Sequence, residues 1–582
     1  MTVHVELSSR DASARRAAAL APTCRGLNYY AIDRSAQDLL PLYMDAPLLA
    51  HLQPHLAALG ALAGGRLHDL SDQAERHPPV LHPRDGYGRD EEWVEYHPSY
   101  RDMEAIAFGR FGLHAMCHRA GVLGWPEPMP PIAKYVFHYL FAQAEFGLLC
   151  PVNLTDSSSE LLRRFGSEEL RARYLERMWS QELATLQRCA QFMTEKTGGS
   201  DVGAGELAAV RDGGEWRLWG EKWFCSNVDA ELAVLLARPE GALPGSQGLG
   251  LFLMPKTLPD GRRNAYRILR LKDKLGSRTM ASGEIMFEGA VAYQLGALDQ
   301  GLKQMLVMVN SSRVSHLARA AGMMRRCLNE AMLAARHRNA FGRAVIEHPL
   351  MRRQLLKLLA PTEQALSALL HAATASEQVL RLLTPVVKYR ACRDNVTVAT
   401  GAMEARGGNG YIEDWPNARL VRDAHLGLLW EGTSNINALD AIQRAVGKVR
   451  AHAALRDDLA ARLDTAGLPG QFRTCLQGAV TDALRLAEEV AAHPENERFC
   501  RMAAGKLYHA TTAALLASEG ARLGTASGDA RRLLLSRFVI EHRLREQTSA
   551  SLAAQRWEDD AADLLLCDAP VPLAQATALL QQ

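Results

Sequence analysis

Apolar positions recur at the helical interval through residues 1–185, give way to short alternating runs over 186–295, and return to the helical interval from 296 onward. In the first stretch the segments from Asp38 and from Leu49 to Leu62 each present one apolar face, and Ser157 to Gln181 repeats the pattern. His77 to Pro98 is rich in Pro, Gly and charge and reads as a long loop. Two helices are expected between Tyr100 and Cys150, broken at Trp125-Pro-Glu-Pro-Met-Pro-Pro, where proline removes a donor and clashes with the preceding turn. The most apolar long run, Ile132 to Val152, is interrupted by Lys134, His138 and Glu145, so it reads as a buried helix and not as a membrane span.

The middle stretch alternates. Trp216 to Gly220, Leu232 to Arg238, Leu249 to Met254 and Ala281 to Phe287 read as strands separated by Gly, Asp, Asn and Pro. Met305 to His337 and Ala365 to Leu383 suit bundle helices. His493-Pro-Glu-Asn marks a late break. The pattern therefore divides the chain into a helical domain (1–185), a β domain (186–295), a helical bundle (296–450) and a further helical domain (451–582). A length of 582 residues agrees, being too long for one core. A net charge of +2 argues against a uniformly basic surface and leaves room for a local patch. Ten cysteines lie scattered with no C-x-x-C pair, which argues against a zinc ribbon or thioredoxin motif. With no apolar leader in the N-terminal residues, a reducing cytoplasm is expected. No metal-ligand spacing is present, and His337 reads as a helix-end histidine.

Five segments carry candidate chemistry. Met193-Thr-Glu-Lys-Thr-Gly-Gly-Ser-Asp-Val202 offers small residues, hydroxyls and backbone N–H groups to a phosphate or a ring carbonyl; it reads equally as a loop whose Thr and Ser cap turns. Gly220-Glu-Lys-Trp-Phe-Cys-Ser-Asn227 sets aromatics beside a hydroxyl, which suits a planar ring cofactor or a half-buried strand. Arg338-Asn-Ala-Phe-Gly342 ends a helical run; its Arg suits a pyrophosphate, or the helix dipole. Glu404-Ala-Arg-Gly-Gly-Asn-Gly-Tyr411 bends the backbone. In Trp430-Glu-Gly-Thr-Ser-Asn-Ile436, Thr433 or Ser434 can cap a helix, and Glu431 is either a carboxylate welcome at that helix start or a general base beside apolar Trp430.

In this order and spacing the five segments resemble the acyl-CoA dehydrogenase family over roughly Leu162 to Val449. The resemblance implies an α+β, mainly α, multidomain fold: an N-terminal helical domain, a middle β-barrel domain and a C-terminal four-helix bundle, here with an extra C-terminal helical domain. It implies FAD held between the β domain and the helices, acyl-CoA as substrate, an acceptor such as electron-transfer flavoprotein, and a homodimer or homotetramer. Met193 and Thr194 match positions beside the flavin ring, and Gly199 and Ser200 the G-S-D stretch that reaches phosphate and substrate. Phe224 and Ser226 match the W-I-T positions, with Phe for the usual Trp and with Trp223 leaving the register open. Arg338 and Phe341 match R-x-x-F-G, which meets the FAD of another subunit. Glu404 (Gln in the family), Gly408, Thr433 and Asn435 (commonly Gln) match further cofactor positions. Glu431 falls on the catalytic base, and Arg313 on an arginine near base and thioester, with Asn310 where Asp is common. Bulky Trp430 favours short or branched acyl groups.

A narrower resemblance is to the AidB-like, adaptive-response branch of that family. It rests on MTEK-GGSDV, Leu258 to Arg267, Leu271 to Arg278, the Pro349 run and the Trp before Glu431. That branch implies weak or vestigial activity and DNA association through the last domain. Residues 451–582 hold 14 Lys and Arg against 17 Asp and Glu, an unfavourable balance for DNA. The best local patch is Arg522, Arg531, Arg532, Arg537, Arg543 and Arg545, diluted by Asp529, Glu541 and Glu546.

Overall fold

The computed structural model describes residues 20–545 and 556–581, so the N-terminal residues 1–19 and Glu546 lie outside the described residues. Asp33 accepts the Ala36 N–H at 3.1 Å and so caps the first described helix, α1 (Arg34–Tyr43). Helices α2 (Ala46–Gly64) and α3 (Arg66–Arg76) follow. The segment expected as a long loop is instead an antiparallel hairpin of β1 (Val80–Arg84) and β2 (Asp90–Glu95). Its turn is closed by the Asp85 carboxylate, which accepts the N–H groups of Tyr87 and Arg89 at 2.8 and 2.9 Å. What holds the hairpin is a distant partner: Glu92 accepts from Arg263 at 2.6 Å and from the Ile268 N–H at 3.0 Å.

Helix α4 (Pro98–Glu104) runs on through a π turn to Arg110. After the proline-rich break come α5 (Pro131–Ala142), α6 (Leu149–Phe165) and α7 (Glu168–Met178). The single buried helix expected from Ile132 to Val152 is therefore two. Glu145, in the link between them, accepts the N–H groups of Gly147 and Leu148 at 3.0 and 2.7 Å, so its carboxylate holds the turn that starts the second helix.

The β domain comprises β3 (Cys189–Phe192), β4 (Ala208–Asp212), β5 (Glu215–Ser226), β6 (Leu232–Pro239), β7 (Gly250–Pro255), β8 (Tyr266–Leu271) and β9 (Ser282–Leu295). Strands pair in the circuit β6–β4–β5–β9–β7–β6, a closed barrel, with β3 parallel on β6 and β8 antiparallel on β9. Closure removes the exposed edges an open sheet would leave.

Helix α8 (Gly301–His337) runs 37 residues without a break and is buried on nearly every face, as the central member of a bundle must be. The two-residue strands β10 (Asn339–Ala340) and β11 (Arg343–Ala344) reverse the chain into α9 (Pro349–Ala372) and α10 (Glu377–Arg406). The run Ala365 to Leu383, expected as one helix, breaks at residues 373–376, where the Ser376 hydroxyl accepts the Val379 N–H and starts α10. Helices α11 (Pro416–Leu426) and α12 (Ser434–Leu439), the latter continuing as a π turn to Val446, complete the bundle.

The further helices are α13 (His452–Thr465), α14 (Gly470–Ala492), α15 (Cys500–Ala526), α16 (Arg531–Val539), α17 (Arg556–Leu565) and α18 (Leu573–Gln581). They are welded to the core by a buried ionic network. Glu363 on α9 pairs with Arg325 on α8 and Arg532 on α16, both at 2.5 Å, and Arg532 also pairs with Glu519 on α15 at 2.8 Å. No helix among the described residues is long and apolar enough to cross a membrane.

Candidate active site

The Met193 loop and the β5 segment meet. The Trp223 N–H donates to the Thr194 carbonyl at 2.8 Å, and buried Lys222 donates to the Met193 carbonyl at 3.2 Å and to the Glu195 carboxylate at 2.6 Å. Glu195 also accepts the N–H groups of Glu206 and Leu207, so this ion pair fixes the loop at both ends. Gly199 packs so closely on Thr194 that an added Cβ would lie 2.7 Å from the Thr194 hydroxyl, and Ser200 is exposed.

The pairing of β5 with β9 slips by one residue between Lys222 and Cys225. This bulge turns both Trp223 and Phe224 outward while Lys222 and Cys225 stay buried. Phe224 is 53% exposed, on the same side as Ser226, whose hydroxyl meets that of Ser282 at 3.1 Å. Lys272 Nζ stands 3.1 Å from the Trp223 ring centroid. Beyond Ser282 opens a cavity of about 750 Å³ whose wall mixes Lys272, Lys274, Arg278, Arg419 and Arg422 with Asp72, Glu75, Asp273 and Glu413, Arg419 pairing with Asp72 and Arg422 with Glu75. An exposed aromatic face, a hydroxyl pair and a wall in which Lys274 and Arg278 have no ion pair among the described residues fit a planar ring bearing phosphates.

Glu431 lies in the turn between α11 and α12 with φ +53°, a left-handed conformation costing a non-glycine residue on the order of 1–3 kcal/mol. Three side chains hold the turn. Arg313 Nε donates to the Glu431 carbonyl at 3.2 Å, Lys388 Nζ to the Gly432 carbonyl at 2.6 Å, and Asn437 Nδ2 to the Gly432 and Thr433 carbonyls at 2.7 and 3.0 Å. Arg313 is anchored in turn by Asp440 at 2.6 Å and by Asn310 Oδ1 at 3.2 Å. Its guanidinium thus braces the turn that carries the base position. Thr433 is the N-cap of α12, and Asn435 is exposed on its first turn.

Burial pushes the Glu431 carboxyl above its ordinary range, and Arg313, the Ser312 hydroxyl, Lys388 and Arg319 hold it partly down. Burial also pulls Lys388 down to about 8. Trp430 beside Glu431 packs on Phe146 and edge-on to His316, with centroids 6.5 and 5.5 Å apart. On α6, Asn153 donates to Ser312 at 2.7 Å. Lys388, Asn437, Asp440, Ser312, Asn153 and the Glu195–Lys222 pair went unread in the sequence. Only Asn437 and Asp440 lie close enough to Glu431 along the chain to have suggested themselves.

The remaining candidates gather elsewhere. Arg338 follows α8, and its Nη1 donates to the Arg406 carbonyl at 3.4 Å beside Gly407, so the third and fourth segments meet. Phe341 is 97% exposed at φ +53° on the β10–β11 turn. Glu404 is exposed and accepts from Gln354 at 3.3 Å, and Gly408 lies in the open loop beyond α10. Arg313 lies 24 residues before His337, the last residue of α8, or ~36 Å at 1.5 Å per residue, and Arg338 comes just after that end. His337 is exposed in the last turn.

A helical domain, a closed barrel and a helical bundle enclosing a braced glutamate and an open aromatic face define an acyl-CoA dehydrogenase-type architecture. Matching family domains run along the chain in that order: the adaptive response protein AidB N-terminal domain over residues 20–183, the acyl-CoA dehydrogenase middle domain over 190–290, and the acyl-CoA dehydrogenase C-terminal domain over 299–447. The chain belongs to the acyl-CoA dehydrogenase family, whose members typically bind FAD. It is 32% identical to AidB of Escherichia coli K12 over 420 residues, covering 69% of this chain and 74% of that protein. Among solved structures it is similar to Bd2924 in its apo form (TM-score 0.76, 28% identity, 86% of this chain and 99% of that one). It is also similar in fold to Caenorhabditis elegans ACDH-11 in complex with C11-CoA (TM-score 0.84, 24% identity, 97% and 98%).

Proposed function

We propose that the chain is an FAD-dependent acyl-CoA dehydrogenase in which Glu431 removes the α-proton of an acyl-CoA thioester, giving a 2-enoyl-CoA. The observation that carries this is the turn at Glu431: a strained backbone braced by Arg313, Lys388 and Asn437, presenting a carboxyl whose burial raises its affinity for a proton. FAD, when bound, supplies the acceptor for the β-hydride. Phe224 and Ser226 would flank its ring with Met193 and Thr194, and Gly199 and Ser200 would meet its phosphates. Thr433 and Asn435 would add contacts after the base. Trp430 and Phe146 would supply an apolar wall beside the carboxyl.

Arg338, Phe341, Glu404 and Gly408 gather beyond the C-terminal end of α8, far from Arg313 and the Glu431 turn, which supports their serving the FAD of a second copy in a homodimer or homotetramer. An acyl-CoA substrate is further supported by the C11-CoA complex of ACDH-11. Electrons would pass to an acceptor such as electron-transfer flavoprotein. Glu431→Gln tests the assignment: the protein should retain FAD while acyl-CoA no longer reduces it. Loss of FAD together with reduction would remove Glu431 from the role of base.

The AidB likeness supports a second reading, DNA association with vestigial activity. Four of the six arginines offered for it are engaged by groups of the protein itself. Arg532 is buried between Glu363 and Glu519, Arg531 pairs with Asp529 at 2.9 Å, and Arg545 pairs with Glu541 at 2.6 Å. Arg537 lies 4.0 Å from the Trp557 ring centroid, and only Arg522 and Arg543 stand exposed without an ion pair among the described residues. DNA affinity that collapses steeply with salt would favour this second reading.

A further inference from the structure

Four arginines on α8 are buried: Arg313, Arg319, Arg325 and Arg326. Three have carboxylates. Arg313 pairs with Asp440 at 2.6 Å, Arg325 with Glu363 at 2.5 Å and Asp33 at 3.4 Å, and Arg326 with Glu330 at 2.9 Å. Arg319 is 1% exposed and has no carboxylate within 4 Å among the described residues. Its one hydrogen bond runs from Nε to the Ser315 carbonyl of its own helix at 3.4 Å, and Nη1 has no acceptor. The guanidinium lies over Phe146 and Trp430, 5.2 and 5.7 Å from their centroids, and neither ring offers an acceptor for its N–H edge. Glu145, on the same segment as Phe146, is occupied by Thr279 and two backbone N–H groups. His316, one turn earlier on α8, also leaves Nδ1 without a partner.

A buried charge is ordinarily paired, and the protein pairs its other three on this helix. Glu431 and Glu145 offset the burial of Arg319 only in part and from beyond ion-pair distance, so its guanidinium beside Trp430 has no bonded anion and awaits one that arrives from outside. We propose that Arg319 receives a carboxylate at the far end of the acyl group, so that the substrates are ω-carboxyacyl-CoA esters. The inference rests on the dehydrogenase reading above and names its substrate class. A guanidinium fork matches a carboxylate bidentately, and its planar face tolerates aromatic neighbours. Arg319 lies six residues beyond Arg313, ~9 Å along α8, so the acyl chain would run from the Glu431 turn along the helix toward it. The carboxylate anchors the chain and takes no part in bond making.

The test is equilibrium binding to the FAD-loaded Glu431→Gln protein, in which turnover does not intervene. Succinyl-, glutaryl-, adipoyl- and suberyl-CoA are each compared with length-matched butyryl-, valeryl-, hexanoyl- and octanoyl-CoA by calorimetry. At least one carboxylated ester should bind about tenfold or more tighter than its neutral match. Adding Arg319→Met should abolish that preference while neutral esters still bind, which also shows the pocket to be folded; Arg319→Lys should restore part of it. Equal binding of matched pairs, or equal loss of both in Arg319→Met, overturns the proposal and makes Arg319 an internal counter-charge. Failure of every ester to bind overturns the dehydrogenase reading as well.

Discussion

Arg319 and Arg325 are six residues apart on α8, yet they live in opposite environments. Around Arg325, burial works against the charge, but Asp33 and Glu363 hold its proton affinity well above the ordinary arginine range. Around Arg319, burial pulls the affinity down, and Glu431 and Glu145, beyond ion-pair distance, restore it only in part. The first neighbourhood is satisfied from inside: Glu363, Arg532, Glu519, Tyr43 and Ser367 exchange hydrogen bonds until the last domain is fastened to the bundle. The second holds an unpaired cation, a strained glutamate with a raised carboxyl and an unpartnered histidine nitrogen. Structural ion networks close on themselves, and sites are left open for what binds.

The largest effect should come from the open side. Glu431→Gln is expected to slow flavin reduction by a factor of ~10²–10⁴, the usual worth of a general base, without changing melting temperature much. The closed side should answer in stability. Arg325→Met leaves buried Asp33 without its cation and Glu363 with Arg532 alone, and should cost about 3–5 kcal/mol of unfolding free energy, whereas Arg319→Met removes a charge with no ion pair and should leave chemical denaturation within ~1 kcal/mol of the parent. If both substitutions destabilise equally, the contrast between the two neighbourhoods is broken. Asn437→Ala releases the carbonyls of the Glu431 turn; about 1–3 kcal/mol should be lost, with kcat falling more than FAD affinity, as stopped-flow and cofactor titration would show.

The smallest effect concerns pH. Glu431 must be ionised to take a proton, so flavin reduction should climb as pH rises through a value above the ordinary carboxylate range. Its folded proton affinity exceeds the unfolded one. The stability it lends is therefore present below the ordinary value of 4.5 and lost as pH rises through the folded value. Because the Arg319 charge helps hold the carboxyl down, Arg319→Met should move the rate limb to higher pH, while Arg325→Met should leave it in place. Identical limbs in all three proteins would contradict the coupling.

The two neighbourhoods also differ in how far the sequence discloses them. Helical spacing and strand alternation disclose the order of helical domain, β domain and helical bundle, and the five segments single out Glu431, Phe224 and the Met193 loop as candidates. Three local readings fail for a common reason: the deciding partner is distant or is a cap. The β1–β2 hairpin owes its docking to Arg263 and Ile268, the break in the Ile132–Val152 run to Glu145 folding back on the next helix, and the break before α10 to Ser376. The bulge at Trp223–Phe224 is a property of pairing with β9 and has no signature in β5 alone. Lys388 and Arg319 are likewise invisible as site residues until the bundle closes. Spacing along α8 does put Arg313, His316 and Arg319 on adjoining turns, but not whether a carboxylate meets them.

The central claim, that the Glu431 turn is the base of a working acyl-CoA dehydrogenase, is tested most directly by anaerobic titration of the FAD-loaded protein with a panel of neutral and carboxylated acyl-CoA esters, following the visible flavin band. The account predicts rapid bleaching by at least one chain class in the parent protein and none in Glu431→Gln. A flavin that stays bound and oxidised with every ester, or bleaching that survives Glu431→Gln undiminished, would contradict it.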